Sequence, residues 1–349
     1  MFNQRVGVFD LDLTNLCNAR CPQCPRYDLN YRLKPGLNKN NLSLELLKSR
    51  IEKKYFEMAV RFHHSGATGE PTMNPEFLQI QEFLSLSNKT CEICVHTNGD
   101  THDEHFWYEL GKLYAQRGNA TVQFALDGLE DTHHLYRVGT TYEKVLKNAR
   151  AFIDGGGTAV WQFIIFKHNQ HQVYDAMDLA RKYGFAKFRP IRSTRFIFTD
   201  NNQPKNLPHK LEPATQVGDL KVPEKMITGL NADVCIKCRS VWKGDVAIYP
   251  DGTVWPCTML VGIHVWHVRD PHNTITWSMI KKHILEPYGG ELPNINKKTL
   301  GEIFLSDQWN AWEFVLNQPT LTCIQQCNSN LESTEQETFG PEYGSAVIS

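Results

Sequence analysis

Several features are missing from this 349-residue sequence, and each absence narrows what the protein can do. No sign of charge dominates. With 37 Lys and Arg against 38 Asp and Glu, the formal net charge of −1 offers no field to draw in nucleic acid or an anionic membrane surface. RNA modification is disfavoured on the same ground, since no stripe of interleaved basic and aromatic residues is present. No apolar run approaches the roughly 20 residues that cross a bilayer, and the N-terminus lacks the basic-then-apolar plan of a signal peptide. No membrane partner is therefore expected, and the expected location is cytoplasmic. Internal repeats and low-complexity blocks are also absent.

Cysteine, by contrast, is plentiful. Ten cysteines in a reducing compartment read as metal ligands rather than disulfides. They fall as Cys17, Cys21 and Cys24, then Cys91 and Cys94, then Cys235, Cys238 and Cys257, then Cys323 and Cys327. The early and late groups, with C-x-x-C-like spacings, point to two metal sites. The early triad can converge on one small inorganic cluster but leaves a cubane one ligand short, whereas a structural zinc site wants four closed N/S ligands. Cys91 and Cys94 lie three apart on a predicted strand, point to opposite faces, and read as buried core thiols.

At 41% apolar content the chain can build one large α/β domain and a smaller module. Strands are predicted at about 6–15, 58–62, 91–96, 120–126, 158–166 and 185–191. Helices alternate with them at 42–52 (N-capped by Ser43), 76–87, 103–117, 142–154 and 171–183. Strand-then-helix units in this number predict a parallel sheet with right-handed crossovers, a partial (β/α)6 TIM-like barrel over residues 1–199. Such sheets bind ligands beyond the carboxyl ends of their strands. The cysteine loop, Gly69-Glu70-Pro71, Thr97-Asn98-Gly99 and Asp127-Gly128 all fall there. Pro204, Pro208, Pro213 and Pro223 mark 200–231 as a connector. A small cysteine-rich module follows over 232–327, with a hairpin turning at Asp251-Gly252 and a helix at 307–317, and the tail at 328–349 reads as flexible or loosely docked.

The ordered set C-x-x-x-C-x-x-C, Gly-Glu-Pro and Thr-Asn-Gly after strands 1 to 3 resembles the radical S-adenosylmethionine (SAM) superfamily. Asp127-Gly128 running to Arg137, followed by Thr141-Tyr-Glu-Lys-Val, is similar to the branch with a C-terminal SPASM or twitch module. Cys238, Gly252 and Cys257, with Leu300-Gly-Glu-Ile-Phe and Trp309, resemble parts of that module. The resemblance implies that Cys17, Cys21 and Cys24 hold a [4Fe–4S] cluster whose open iron chelates SAM. Reductive cleavage then yields a 5′-deoxyadenosyl radical that abstracts a substrate hydrogen. It places Gly69, Glu70 and Pro71 by the SAM amino group, Thr97 and Asn98 in the same cofactor loop set, Asp127 by the ribose or methionyl part, Arg137 by the carboxylate, and Gln23 beside adenine. It also implies one auxiliary [4Fe–4S] cluster on four of Cys235, Cys238, Cys257, Cys323 and Cys327, and an electron donor such as flavodoxin or ferredoxin.

No catalytic residue beyond the cofactor ligands is assigned. Asp10 and Asp12 alternate on one face of strand 1 and read either as substrate ligands or as partners of the basic run containing Lys187, Arg189, Arg192 and Arg195. His63 and His64 read as satisfied or exposed histidines. With the barrel starting near residue 6, no leader-peptide-binding domain is expected before it. Peptide modification stands slightly ahead of oxidation or rearrangement of a small molecule, and the rival of another class is a non-catalytic zinc-stabilised binding protein.

Overall fold

The computed structural model describes residues 5–28, 30–37, 39–193, 210–215, 238, 241, 243–258, 260, 277–317 and 346–347. The chain opens with β1 (Val8–Leu11), α1 (Leu44–Arg50), α2 (Lys53–Met58) and β2 (Arg61–His64). It continues with α3 (Phe77–Ser87), β3 (Glu92–Thr97), α4 (Glu104–Arg117), β4 (Ala120–Ala125), α5 (His133–Tyr136) and α6 (Tyr142–Asp154). Next come β5 (Thr158–Ile165), α7 (Val173–Tyr183), β6 (Lys187–Arg192), β7 (Asp245–Ile248) and β8 (Val254–Trp255). The short helices α8 (Leu300–Phe304), α9 (Asp307–Asn310) and α10 (Trp312–Leu316) precede β9 (Ala346–Val347).

Among the described residues nine strands join one sheet in the order β8-β7-β1-β2-β3-β4-β5-β6-β9. Its pairings are parallel from β7 through β6 and antiparallel only at the two ends. This is a mostly parallel α/β fold, consistent with a partial barrel.

Alternation along the strands explains the two faces. Phe9, Phe62, Ile93 and Phe124 are fully buried and turn toward the helices. Phe9 meets Phe56 of α2 at 5.6 Å between ring centroids, and Phe124 meets Trp107 of α4 at 5.0 Å and Phe152 of α6 at 5.9 Å. Their neighbours in sequence point to the opposite, inner face. Because the register pairs Asp10 with His63 and His63 with Cys94, these three side chains form a row across that face.

Local signals explain the helices. The Ser43 hydroxyl accepts from the Leu46 amide at 3.1 Å, an N-cap worth about 1 kcal/mol, and Asp103 does the same for Phe106 at α4. The predicted second strand is displaced, because Met58 ends α2 and the strand is Arg61–His64. Tyr55 and Phe56, just before that apolar run, bury helically on the core. The predicted helix at 307–317 is two short helices broken at Ala311.

The late hairpin forms as expected: Ala247 faces Trp255, and Gly252 takes φ +83° at the turn. It is not confined to a separate module, because β7 adds in parallel to the edge of β1. The segment around α8 also docks on the barrel. The Glu52 carboxylate accepts from Thr299 Oγ1 at 3.0 Å and Gly301 N at 3.1 Å, while Phe304 packs edge-on to Tyr55. Within the predicted tail, Ala346–Val347 pairs with the outer edge of β6. This satisfies backbone groups that an open edge would expose. No helix among the described residues is long and apolar enough to cross a membrane.

Candidate active site

The chemically loaded loops lie beyond the carboxyl ends of β1, β2, β3 and β4, and they are laced to one another. Gly69 sits hard against the cysteine loop, where a Cβ would lie 2.0 Å from the Thr14 carbonyl oxygen and 2.7 Å from that of Leu16, so only glycine fits. The Glu70 amide donates to Leu16 O at 2.7 Å. The Glu70 carboxylate is saturated from within. It accepts from Thr72 Oγ1 at 2.8 Å, Thr97 Oγ1 at 2.6 Å and the Asn98 amide at 2.7 Å. Burial nevertheless raises its pKa against the pull of these donors. Glu70 is thus a brace between the second and third loops, and backbone of the Gly69-Glu70-Pro71 turn, rather than this carboxylate, is what it leaves for a ligand. Pro71 opens a short 3₁₀ turn and is buried.

Asn98 completes the lacing, donating to Asn18 Oδ1 at 2.7 Å and reaching Cys17 Sγ at 3.9 Å. On the other side, Arg137 is ion-paired to the fully buried Asp127 and extends Nη1 to 3.7 Å from Cys21 Sγ. Burial would lower the Arg137 pKa, but the Asp127 charge raises it above the ordinary value. Asp127 also accepts from the Ile164 amide of β5. Asn169, which no sequence signal singled out, donates to Asp127 O at 3.1 Å.

A [4Fe–4S] cluster bound through three thiolates needs convergent sulfurs, an apolar surround and donors that offset its negative charge. The loop shows the last two of these. Cys17, Cys21 and Cys24 pack with Ala19, Tyr136, Phe166 and Leu211 in a small apolar nest of their own. Leu211 comes from the stretch predicted as a connector, and it packs beside the cysteines. Arg26 is 5% exposed, donates to Asn15 O at 2.8 Å, and has two buried guanidinium nitrogens, Nε and Nη1, without a hydrogen-bond partner among the described residues. Its charge opposes the burial that pushes the Cys17 thiol up to about 12. An anionic cluster beside Arg26 would supply the missing compensation. A cavity of about 500 Å3 adjoins the loop, lined by Cys17, Arg20, Arg26 and Tyr27 among others.

Gln23 is 2% exposed, and its Oε1 accepts from Ser193 Oγ at 3.2 Å. The inner-face residues have different partners from those the sequence offered. Asp10 meets His63, Ser65 and Thr258, and Arg189 donates to Gln123 Oε1 at 2.9 Å. Among the described residues no arginine pairs with Asp10. The side chain of Arg192, although its backbone ends β6, lies outside the description, as do Arg195, Cys235, Cys323 and Cys327. Cys238 and Cys257 are half-buried against the main core. Of the two middle cysteines, Cys91 is buried at 1% exposure, as expected of a core thiol. Cys94 is not one. It lies on the inner face between two histidines, and its alternation with Ile93 and Val95 was the signal that it faces away from the helices.

Asp12 Oδ2 accepts from Thr68 N at 2.8 Å and Thr68 Oγ1 at 2.5 Å, and among the described residues no arginine bonds it. Burial outweighs these bonds and pushes its carboxyl up to about 7. A carboxyl whose folded pKa exceeds its unfolded value, near 3.9, stabilises the fold fully below about pH 4 and loses that contribution as pH rises through about 7. Asp12→Asn should therefore flatten the decline in unfolding free energy between about pH 4 and pH 7. Urea titrations across that range measure it, and an identical slope in wild type and variant would contradict a neutral buried Asp12.

Comparison with known proteins follows the same lines. Residues 11–180 match the model of the Radical SAM superfamily. The GTP 3′,8-cyclase of Haemophilus ducreyi is 26% identical over 201 residues, covering 56% of this chain and 54% of that protein. That of Saccharophagus degradans is 26% identical over 182 residues, 51% of each. The chain thus spans about half the length of the curated relatives it matches. Among solved structures, anSMEcpe with bound AdoMet aligns with a TM-score of 0.51 at 16% identity, over 89% of this chain and 79% of that one. Streptococcus suis SuiB bound to precursor peptide SuiA aligns with a TM-score of 0.52 at 12% identity, over 88% and 66%. These likenesses are of fold. The family model matches just under half of this chain.

Proposed function

We propose that this protein is a radical SAM enzyme that modifies a peptide or natural product, with Cys17, Cys21 and Cys24 as the ligands of the SAM-binding cluster. The observation that carries the reading is the site itself. Three cysteines in an apolar nest at the carboxyl end of β1 are braced by Gly69-Glu70, Asn98 and Arg137 from three neighbouring strands. When bound, the cluster and SAM supply a 5′-deoxyadenosyl radical able to take hydrogen from an unactivated C–H bond.

The chain's own residues position and shield. Glu70 locks the second and third loops so that the backbone of Gly69-Glu70-Pro71 presents its polar groups at a set distance from the cysteines. Asn98 Nδ2 and Arg137 Nη1 direct positive dipole and charge at Cys17 and Cys21, which favours the thiolate form. The Nη2 of Arg137 lies outside these contacts and can meet a carboxylate. Asp127 holds that guanidinium in place, while Tyr136, Phe166 and Leu211 keep water from the sulfurs. Gln23, Asp10, Asp12, Arg189 and Arg192 remain candidates for adenine and substrate contacts. A second cluster on the late cysteines, with the module of SPASM or twitch type, is part of the proposal. Cys238 and Cys257 each pack against the main core. Electron supply from a flavodoxin or ferredoxin is also part of the proposal.

For peptide modification speaks the fold shared with SuiB, which is bound to its precursor peptide. A nucleotide or other small-molecule substrate is the second reading, favoured by the name GTP 3′,8-cyclase on both curated relatives. Anaerobic reconstitution with iron and sulfide tests the reading. About eight irons per chain and release of 5′-deoxyadenosine under reductant are expected. Tightly bound zinc with no SAM cleavage would sink it, and stimulation of cleavage by GTP would shift the substrate toward the second reading.

A further inference from the structure

We propose that His63, Cys94 and His96 bind a single zinc-like divalent ion on the inner face of the sheet, at a site apart from the Cys17-Cys21-Cys24 loop. Their ligand atoms lie within 4.8 Å of one another. The two imidazoles are T-shaped to each other, with Nε2 atoms 3.2 Å apart. Two imidazole nitrogens on one tetrahedral ion, each at 2.0–2.1 Å, would stand about 3.3–3.4 Å apart, so the rings are already at ligand spacing.

The surroundings have the form of a metal site's outer partners. His63 Nδ1 faces Asp10 Oδ2 at 3.1 Å, which directs Nε2 toward His96. That carboxylate is itself oriented by Ser65 Oγ at 2.9 Å and Thr258 Oγ1 at 2.8 Å. The amide of Gln123 donates to Cys94 Sγ at 3.3 Å, and its oxygen is occupied by Arg189 at 2.9 Å. Arg189 is the nearby cation that would oppose a metal, and its Nη1 is directed at the Gln123 oxygen. A Cys94 thiolate and the Asp10 carboxylate together balance a divalent charge, which makes burial of the ion affordable. Two imidazoles and a thiolate exclude magnesium and calcium and suit zinc, cobalt or ferrous iron.

Three protein ligands leave a fourth position. Cys94 and His96 are half-buried while His63 is buried, so that position opens toward the inner face, where it can take water or a donor atom of the substrate. Placement on the strands, rather than on the loops, separates this site from the cluster loop. In the parallel register His63 is the direct partner of Cys94, and His96 lies two residues further along the same face.

Anaerobic titration with cobalt(II) tests the site, using full-length protein whose clusters have first been reconstituted and whose loosely bound divalent ions have been removed by chelation. One equivalent should bind, with the visible bands of tetrahedral cobalt and thiolate charge transfer. Cys94→Ser and His96→Gln should each lose that equivalent, whereas Cys91→Ser should keep it. Asp10→Asn should retain one equivalent at about 10- to 100-fold weaker affinity. No tight cobalt in the parent protein, or unchanged bands in Cys94→Ser, overturns the proposal. Because cluster iron and SAM cleavage are measured separately, failure here is distinguishable from failure of the radical SAM reading.

Discussion

Cys21→Ser is expected to remove about four irons per chain from the reconstituted protein and to abolish SAM cleavage. The sulfur of Cys21 is the buried member of the triad, enclosed by Tyr136, Phe166 and Leu211 and approached by the Arg137 guanidinium. A serine oxygen in that apolar nest is a hard, poorly ionised donor in place of a thiolate. The same loss is expected for Cys17→Ser and Cys24→Ser, because a three-ligand cluster has no spare protein donor. Cys91→Ser is the control: buried on the helix side near β3, it should leave iron and cleavage intact. Iron and sulfide counts with 5′-deoxyadenosine assays decide the matter. A Cys21→Ser protein that keeps its full iron content and cleaves SAM would place the cluster elsewhere.

Asp127→Ala should lower the unfolding free energy by about 3–5 kcal/mol, the usual cost of orphaning one member of a buried ion pair. Asp127 is fully buried and holds the Arg137 guanidinium and the Ile164 amide of β5. Truncation strands both. Because Arg137 also reaches Cys21, the variant should assemble its cluster poorly even where it folds. Asp127→Asn keeps an acceptor for Ile164 and should recover part of the stability without restoring the charge that fixes Arg137. Chemical denaturation of apo protein, compared with cluster content after reconstitution, separates the two effects. A loss under about 1 kcal/mol for the alanine variant would mean that the pair is solvated and that Arg137 is placed by something else.

Much of the site was legible along the chain because its parts are local. The triad spans eight residues, Gly69-Glu70-Pro71 and Thr97-Asn98 each occupy one loop, and the alternation of strand and helix patterns located β1 and β3 to β6. Even the displaced second strand failed for a local reason. Met58 to Phe62 is apolar enough for a strand, but Tyr55 and Phe56 just before it commit the start of that run to a helix packed on Phe9. What the sequence concealed was partnership. Glu70 reads as a cofactor carboxylate until its donors from Thr97 and Asn98 are seen. Asp10 reads as a partner for arginine until His63 occupies it.

By itself the sequence determined the fold class, the order of strands and helices, the residues at the carboxyl ends of the strands and the cysteine triad, because helix and strand periods and motif spacings are properties of neighbouring residues. Tertiary structure alone decided that the hairpin at 245–255 extends the sheet beside β1, that Leu211 closes the cysteine nest, and that His63, Cys94 and His96 converge. These depend on strand register and on contacts between residues tens to hundreds of positions apart, which no local period encodes.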